Sequence, residues 1–283
     1  MKTSDLSKNL TAFFKSYLPG IRNLSANTIL SYRDCFRLFL MFCRDECAIK
    51  PEKLSLDMID DALVTRFLGW VEGERGCSVA TRNQRLVAIH AFFRYVQVQE
   101  PPHFDRCQRI LLIPCKKCPK PIVDHLTPEQ VKELLAAPDA SSPSGRRDVT
   151  LLSVLYDTGA RVQELCDLRV RDIRFEYPST ATLTGKGSKI RHVPIMGNTT
   201  ALLRSYMEEN ALMGNGRQDA ILFVNQRKGR LSRGGISHIL KKYAMMVFDE
   251  TRKAVTPHIV RHSKAVHLYQ SGVNLIYIRD FLG

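Results

Sequence analysis

Apolar residues recur at helical spacing through the first hundred positions. After Ser25, a stripe at intervals of three and four is formed by Ile29, Tyr32, Phe36, Phe39 and Cys43. After Ser78, the same spacing is kept by Leu86, Ile89, Phe93 and Val96. Serine is a favoured N-cap, so a helix is predicted to begin after each serine. With shorter helices expected near residues 6–17 and 57–74, residues 1–100 are predicted to form a helical bundle.

The second half combines helices with one predicted β-hairpin. Thr127 to Gln130 reads as a capping box with proline at the first helical position. A later helix is predicted to end near Asp157, where residues 158–160 precede Arg161. Residues 180–184 and 189–195 read as strands around a glycine-rich turn, and another helix begins at Thr256 and Pro257. The predicted fold class is mostly α with a small β-sheet, and the second domain spans residues 125–283.

Residues 101–124 differ in composition from both halves. They contain five prolines, at positions 101, 102, 114, 119 and 121, and five basic residues: Arg106, Arg109, Lys116, Lys117 and Lys120. Proline interrupts regular structure, so this segment is predicted to be a basic interdomain linker.

The composition is that of a globular protein, with 44% hydrophobic and 25% charged residues. No apolar run approaches the roughly 20 residues of a membrane span, and no signal peptide precedes the first helix, so a cytoplasmic protein is expected. The net charge is +14, divided as +6 up to Asp124 and +8 beyond it. This excess favours a nucleic-acid partner for both halves, with a soluble enzyme of high pI as the alternative.

Several basic and polar residues are predicted to contact DNA. Residues 220–248 contain no acidic residue but six basic ones. In the first half, Arg33 and Arg37 lie off the apolar face of the helix after Ser25, and Arg82, Asn83 and Arg85 lie in the first turns of the helix after Ser78. The predicted DNA-binding residues are Arg33, Arg37, Arg82, Asn83, Arg85, Lys116, Lys117, Arg227, Lys228, Arg230, Arg233, Lys241 and Lys242.

The eight cysteines are expected to be free thiols in a chain without a secretion signal. An alternative is a zinc site built from Cys107, Cys115 and Cys118 with His103, because a C-x-x-C pair can supply two tetrahedral ligands. No second C-x-x-C supports it.

Four segments together resemble the tyrosine recombinase (integrase) family of DNA strand-exchange enzymes. They are residues 157–165 (DTGARVQEL), 184–194 (TGKGSKIRHVP), 257–262 (PHIVRH) and 281–283 (FLG). In the first half, Leu24 to Thr28 and the helix from Ser78 to Tyr95 resemble the family's core-binding domain. The resemblance therefore extends over nearly the whole chain.

The residue types agree with metal-free phosphodiester cleavage. Charge growing on the phosphate requires fixed cations, a role for which the planar forks of Arg161 and Arg261 are suited. Lys186 at the hairpin tip can act as general acid, and His258 can either hydrogen-bond the phosphate or manage the proton of the nucleophile. No metal or cofactor is needed. Each residue also has a plainer interpretation: Arg161 could pair with a nearby acid, Lys186 could be a solvated turn residue, and His258 with His262 could form half a metal site.

By the resemblance, Glu164 is a supporting residue that orients Arg161, and Lys189 is an alternative to Lys186. The family's Leu-Gly pair is followed by a histidine or tryptophan and then by the nucleophilic tyrosine. None of the nine tyrosines matches that position, so the 283 residues are expected to lack the nucleophile. Either the chain has been truncated or it is a natural form without the nucleophile, and truncation is the favoured interpretation.

The resemblance implies a site-specific recombinase that forms a covalent 3′-phosphotyrosyl intermediate. It further implies a roughly palindromic core site in double-stranded DNA, a homodimer on each site and a homotetramer in the synapse. Three alternatives remain: an inactive DNA-binding regulator with the same fold, a type IB topoisomerase, and a zinc-dependent nucleic-acid protein.

Overall fold

The computed structural model divides the chain into two compact units, Met1–Lys120 and Pro121–Gly283. It describes residues 4–118, 124–185, 187, 189–214, 216–248 and 255–283. The fold is mostly helical with one small sheet, as the sequence predicts. Across these described ranges, no helix has both the length and the apolar character that crossing a bilayer requires.

The first unit is a helical bundle with an aromatic core. Its helices are α1 (Asp5–Ala12), which continues as a π-helical segment (Phe13–Ile21), α2 (Ala26–Cys47), α3 (Asp61–Gly73), α4 (Val79–Gln99) and α5 (Phe104–Leu111). Ser25 and Ser78 cap α2 and α4 through their side chains, which confirms both predicted helix starts. Phe13, Phe67 and Phe92 are fully buried, and the Phe13 and Phe92 rings meet edge to face at 5.3 Å.

Residues 101–111 differ from the predicted linker. Pro101 and Pro102 open a 3₁₀ turn that leads into α5, whose Cys107 and Ile110 are fully buried against the first unit. Proline is tolerated in the first turn of a helix, where the backbone N–H has no partner to lose. The prolines therefore mark a helix start, and two apolar residues dock that helix on the bundle.

The helices and the three-stranded sheet of the second unit pack around one hydrophobic core. The helices are α6 (Pro128–Ala136), α7 (Pro143–Thr158), α8 (Val162–Asp167), α9 (Gly197–Glu209), α10 (Arg233–Val247), α11 (Pro257–Gln270) and α12 (Leu275–Leu282). The antiparallel strands, in spatial order, are β1 (Ile173–Arg174), β2 (Thr180–Thr184) and β3 (Ile190–Pro194). The capping box at Thr127 and the β2–β3 hairpin are confirmed.

Two histidine side chains hydrogen-bond to backbone carbonyls, one in each unit. His90 Nε2 lies 3.0 Å from the carbonyl oxygen of Ile110, and His267 Nε2 lies 2.8 Å from that of Leu126. A carbonyl only accepts, so Nε2 carries the proton in each ring. Nδ1 of a neutral His267 then accepts from the hydroxyl of Tyr156 at 2.8 Å. A neutral imidazole can make both of these carbonyl contacts.

Acidification is expected to weaken this arrangement. Burial lowers the pKa of His90 and of His267 below the ordinary 6.5, and Lys264 and His125 add to the effect at His267. Between the two pKa values the unfolded chain binds a proton that the folded chain does not. The contribution to stability is thus complete above pH 6.5 and is lost as pH falls below it, by at most about 1.4 kcal/mol per pH unit for each group.

Thermal unfolding from pH 8 to pH 5 tests this with His267→Gln, which keeps a donor for Leu126 but cannot titrate. The difference in Tm between the wild-type protein and the variant should become smaller as pH falls. A difference in Tm that is constant over the range would contradict the prediction.

Candidate functional site

Arg161 is placed by a sharp break between two helices. α7 ends at Thr158, and Gly159 follows in the left-handed region with φ of 54°, which favours glycine. Arg161 is the N-cap of α8, and its backbone N–H donates to Glu164 Oε2 at 2.8 Å. Its Nη1 donates to Glu164 Oε1 at 3.0 Å. One buried carboxylate therefore orients both the backbone and the side chain of Arg161.

Arg261 and His258 lie on α11, one turn apart. Thr256 caps this helix, and Pro257 takes its first position. Arg261 donates from Nη1 to the carbonyl of Gly159 at 2.7 Å and from Nη2 to the carbonyl of Leu282 at 2.8 Å. Burial, together with the nearby charges of Arg161 and Arg191, lowers the pKa of Arg261 to about 10. The guanidinium is therefore still charged at neutral pH, and its orientation is set by two backbone groups.

Three of the four predicted catalytic residues line one cavity of about 490 Å³: Arg161, His258 and Arg261. Arg233, predicted to bind DNA, lines it as well. Gln163 and Ser237 also line it and were not predicted, because nothing in the sequence pattern distinguishes them from other polar helix residues. Lys186 lies outside the described residues.

A second cavity of about 530 Å³ lies on the other side of Arg161. Lys189, the alternative general acid, lines it together with Arg191 and Arg279. Arg191 was not among the predicted site residues, although the strand pattern carried a signal. Arg191 lies on the same face of β3 as buried Val193, and an arginine on a core-facing position requires a partner.

The partner of Arg191 is Glu164, whose side chain is 3% exposed. Burial alone would raise the pKa of this carboxyl group, but hydrogen bonds from Arg191 and Arg161 outweigh it and hold the pKa below its usual value. Glu164 is thus ionised at neutral pH. Arg161 and Arg191 bond this buried carboxylate, and the charge of Arg261 is near enough to interact with it electrostatically. Three guanidinium groups thus face one carboxylate, which leaves the region positively charged and suited to an anion.

The predicted DNA-binding residues of the first unit fall into two groups. Arg33, Arg37 and Lys117 are exposed to solvent. The others bind the protein itself: Arg82, which is 5% exposed, donates to the carbonyl of Pro114, and Arg85 donates to the carbonyl of Ser31. The Asn83 amide pairs with both the N–H and the C=O of Lys116, and Lys116 Nζ contacts Glu72 at 2.6 Å. Their contacts with DNA stay predictions.

In the second unit, the acid-free stretch is exposed at each of its predicted positions: Arg227, Lys228, Arg230, Arg233, Lys241 and Lys242. Arg230 forms an ion pair with Asp167, and Lys242 Nζ lies 4.7 Å from the ring centroid of Tyr243. The remaining charges are accessible to a polyanion.

The alternative zinc site is not assembled. Cys107 is fully buried, which raises its pKa to about 11, whereas Cys115 and Cys118 are exposed. Searching the described parts of the chain gives no group of three or more His, Cys, Asp or Glu side chains placed to hold a metal. The ring of His262 packs against that of His125, with centroids 6.4 Å apart.

Comparison with known proteins gives matches to both units. The model described as "Phage integrase family" matches residues 124–283, and "Phage integrase, N-terminal SAM-like domain" matches residues 12–100. "Putative integrase/recombinase y4rC" of Sinorhizobium fredii is 38% identical over all of this chain and 85% of its own length. "Tyrosine recombinase XerC" of Bacillus pumilus is 31% identical over 98% of this chain and 88% of its own.

A solved structure matches as well. The crystal structure of XerH site-specific recombinase bound to palindromic difH substrate, a post-cleavage complex, has a TM-score of 0.71 and 25% identity. The match covers 93% of this chain and 74% of XerH. The family model for the second unit covers more than half of the chain, and a relative above 30% identity spans all of it. The chain therefore belongs to the phage integrase family of tyrosine recombinases.

Proposed function

We propose that this chain binds double-stranded DNA and that the cavity lined by Arg161, His258 and Arg261 receives the scissile phosphate. The observation that carries the proposal is the convergence of two guanidinium groups and an imidazole, from the start of α8 and from α11, on one cavity. The XerH structure, which holds a palindromic DNA substrate, supports the same partner for a chain of the same fold.

The two arginines are oriented before any substrate binds. Arg261 is held by the carbonyls of Gly159 and Leu282, and Arg161 is held by Glu164. Donors that are already in place stabilise charge in a transition state without a further cost of reorganisation. We therefore assign to Arg161 and Arg261 the stabilisation of charge on the non-bridging phosphate oxygens, and to His258 a hydrogen bond to the same phosphate.

Two further groups complete the proposed reaction. A tyrosine hydroxyl attacks the phosphorus and gives up its proton, for which His258 is a candidate acceptor. A 3′-phosphotyrosyl bond forms, and the 5′-oxygen leaves with a proton from a general acid. Lys186 is our assignment for that acid, and Lys189, which lines the second cavity, is the alternative. The nucleophile is proposed to lie outside these 283 residues. The 5′-hydroxyl of the partner strand then attacks the phosphotyrosyl bond, which rejoins the DNA and releases the tyrosine.

The proposed assembly is a homodimer on a roughly palindromic core site and a homotetramer in the synapse. Integration or transposition of a mobile element is the proposed setting.

DNA affinity is expected to depend strongly on salt. Log K falls as log salt rises. Removing one lysine or arginine that binds a phosphate should reduce the magnitude of this slope by about 0.9, because one fewer counterion is released on binding. A fluorescein-labelled mixed-sequence duplex, titrated by anisotropy at several salt concentrations, measures this slope. Lys241→Gln, in the acid-free stretch, should lower the slope by about 1.

Lys132→Gln is the matched control for this titration, because Lys132 is exposed on α6 and lies outside the predicted DNA surface. It should leave the slope unchanged. An affinity of the wild-type protein that barely responds to salt would contradict the proposed function.

A further inference from the structure

Arg191 makes three charge-assisted or polar contacts with two other elements. Its Nη1 donates to Glu164 Oε1 at 2.8 Å, and its Nη2 donates to Glu164 Oε2 at 2.6 Å. Its Nε donates to the carbonyl of Phe281 at 3.0 Å. The side chain is 11% exposed. Arg191 on β3 therefore binds both the carboxylate of α8 and the last turn of α12.

The same carboxylate holds Arg161. Oε1 of Glu164 accepts from Nη1 of both arginines, and Oε2 accepts from the Arg161 backbone and from Arg191 Nη2. Arg161 is the more exposed partner, with 40% of its side chain accessible. Arg161 lines both cavities, whereas the more buried Arg191 lines only the second one.

The hairpin closes directly over this cluster. Arg191 pairs in register with Leu183, and the Gly185 N–H donates to the carbonyl of Lys189 at 2.8 Å. A Cβ added at Gly185 would lie 3.0 Å from Glu164 Oε1 and 3.5 Å from Arg161 Nη1. Arg191 therefore joins the strand pair that carries the candidate general acids to the arginine that would bind the phosphate.

Arg161 also donates from Nη2 to the carbonyl of Gly283. We propose that Arg191 is a positioning residue, which holds Glu164 in place so that Arg161 points its remaining N–H groups into the cavity. This inference rests on the proposed function. Arg191 has no phosphate contact of its own in the proposal, because each of its three nitrogens already donates within the protein and the side chain is only 11% exposed. Without Arg191, the buried Glu164 keeps Arg161 as its remaining partner and draws that guanidinium away from the phosphate. A buried carboxylate that loses one partner binds the other more strongly or takes up a proton.

A double-mutant cycle tests the inference, with Arg161→Ala, Arg191→Gln and the two combined. The readouts are the affinity for the labelled mixed-sequence duplex and its salt slope. Arg161→Ala should lower the slope by about 1 and the affinity by up to about tenfold. Arg191→Gln alone should reproduce most of this effect. In the Arg161→Ala background, Arg191→Gln should change the affinity by less than about twofold. The effects of two substitutions are not additive when one residue acts through the other.

Two further variants separate positioning from charge. Arg191→Lys keeps the positive charge but cannot bond both oxygens of Glu164 and the Phe281 carbonyl, so it should restore little of the slope. Arg174→Gln is the matched control, since Arg174 on β1 is exposed and pairs with Glu176 at the surface. It should bind DNA like wild type.

Each other outcome overturns the inference. Equal reductions in affinity from Arg191→Gln in both backgrounds would mean that Arg191 contacts DNA itself or that the fold is damaged, and thermal unfolding would distinguish these two causes. A slope unchanged by Arg191→Gln, or full recovery with lysine, would exclude positioning through Glu164. An Arg161→Ala slope that is unchanged would overturn this inference but not the proposed function. Wild-type protein that does not bind the duplex would overturn both.

Discussion

Replacing Arg161 or Arg261 with alanine is expected to reduce DNA cleavage by at least about 10²- to 10³-fold while lowering DNA affinity by no more than about tenfold. The asymmetry follows from the chemistry, since negative charge on the non-bridging oxygens grows as the reaction proceeds and the arginine contacts strengthen with it. The assay requires a form of the protein that carries the proposed nucleophile. Cleavage of a labelled core-site duplex and its equilibrium binding are measured in parallel.

The substitution Arg261→Lys should also reduce cleavage, because lysine cannot replace the arginine contacts. Its single ammonium cannot bond the carbonyls of Gly159 and Leu282 and also reach a phosphate. Arg204→Ala is the matched control, because the exposed Arg204 lies over the ring of Phe175 at 4.6 Å and lines neither cavity. Retained cleavage by both alanine variants would overturn the catalytic assignment. If cleavage and binding disappear together, the arginines serve DNA affinity instead.

The 283-residue chain is expected to bind DNA without forming a covalent adduct. Strand exchange conserves the energy of the phosphodiester in a bond to the protein, so the arginines alone cannot support it. In the test, the chain is mixed with a nicked suicide substrate and denatured, and the gel is examined for a protein band shifted by DNA. A form of the protein that carries the proposed nucleophile should give that band, and the 283-residue chain should not.

The positions of the tyrosines support this expectation. Three of those in the second unit use their hydroxyls within the protein: Tyr156 with His267, Tyr206 with the carbonyl of Leu222, and Tyr243 with Asp148. Burial, first of all, raises the pKa of each of these hydroxyls, in the case of Tyr243 to about 12. In the part of the chain that the structure describes, neither cavity has a tyrosine in its lining.

An adduct with the 283-residue chain would contradict the prediction. Tyr269 and Tyr277 would be the first positions to replace with phenylalanine, because they are 60% and 71% exposed and follow Arg261 along the chain. Relaxation of supercoiled plasmid without sequence preference would point instead to topoisomerase activity.

Local chemistry made much of the fold predictable from the sequence. The side chains of Ser25, Ser78, Thr127 and Thr256 cap the helices that they were predicted to begin. Such signals are readable because an N-cap and its partner are two or three residues apart. The two long strands were predicted for a related reason, since a short glycine-rich turn between β-forming runs pairs its neighbours directly. Catalytic candidates emerged from four segments considered together, and three of those residues do share a cavity.

Only the tertiary structure decided which side chains are free to act. Asn83 and Arg82 read as DNA-binding residues at a helix start, yet they bind the backbone of Lys116 and Pro114, more than thirty positions away. Arg191 read as one basic strand residue among several, yet it meets Glu164 and Phe281, 27 and 90 positions away. An arginine has the same donors whether it binds DNA or another part of the protein. Its partner depends on which elements the packing of the hydrophobic cores brings close to it. The sequence by itself therefore determined the elements, their caps and the residue types for phosphate chemistry, because those depend on near neighbours. Packing between distant elements determined the pairing of each charge.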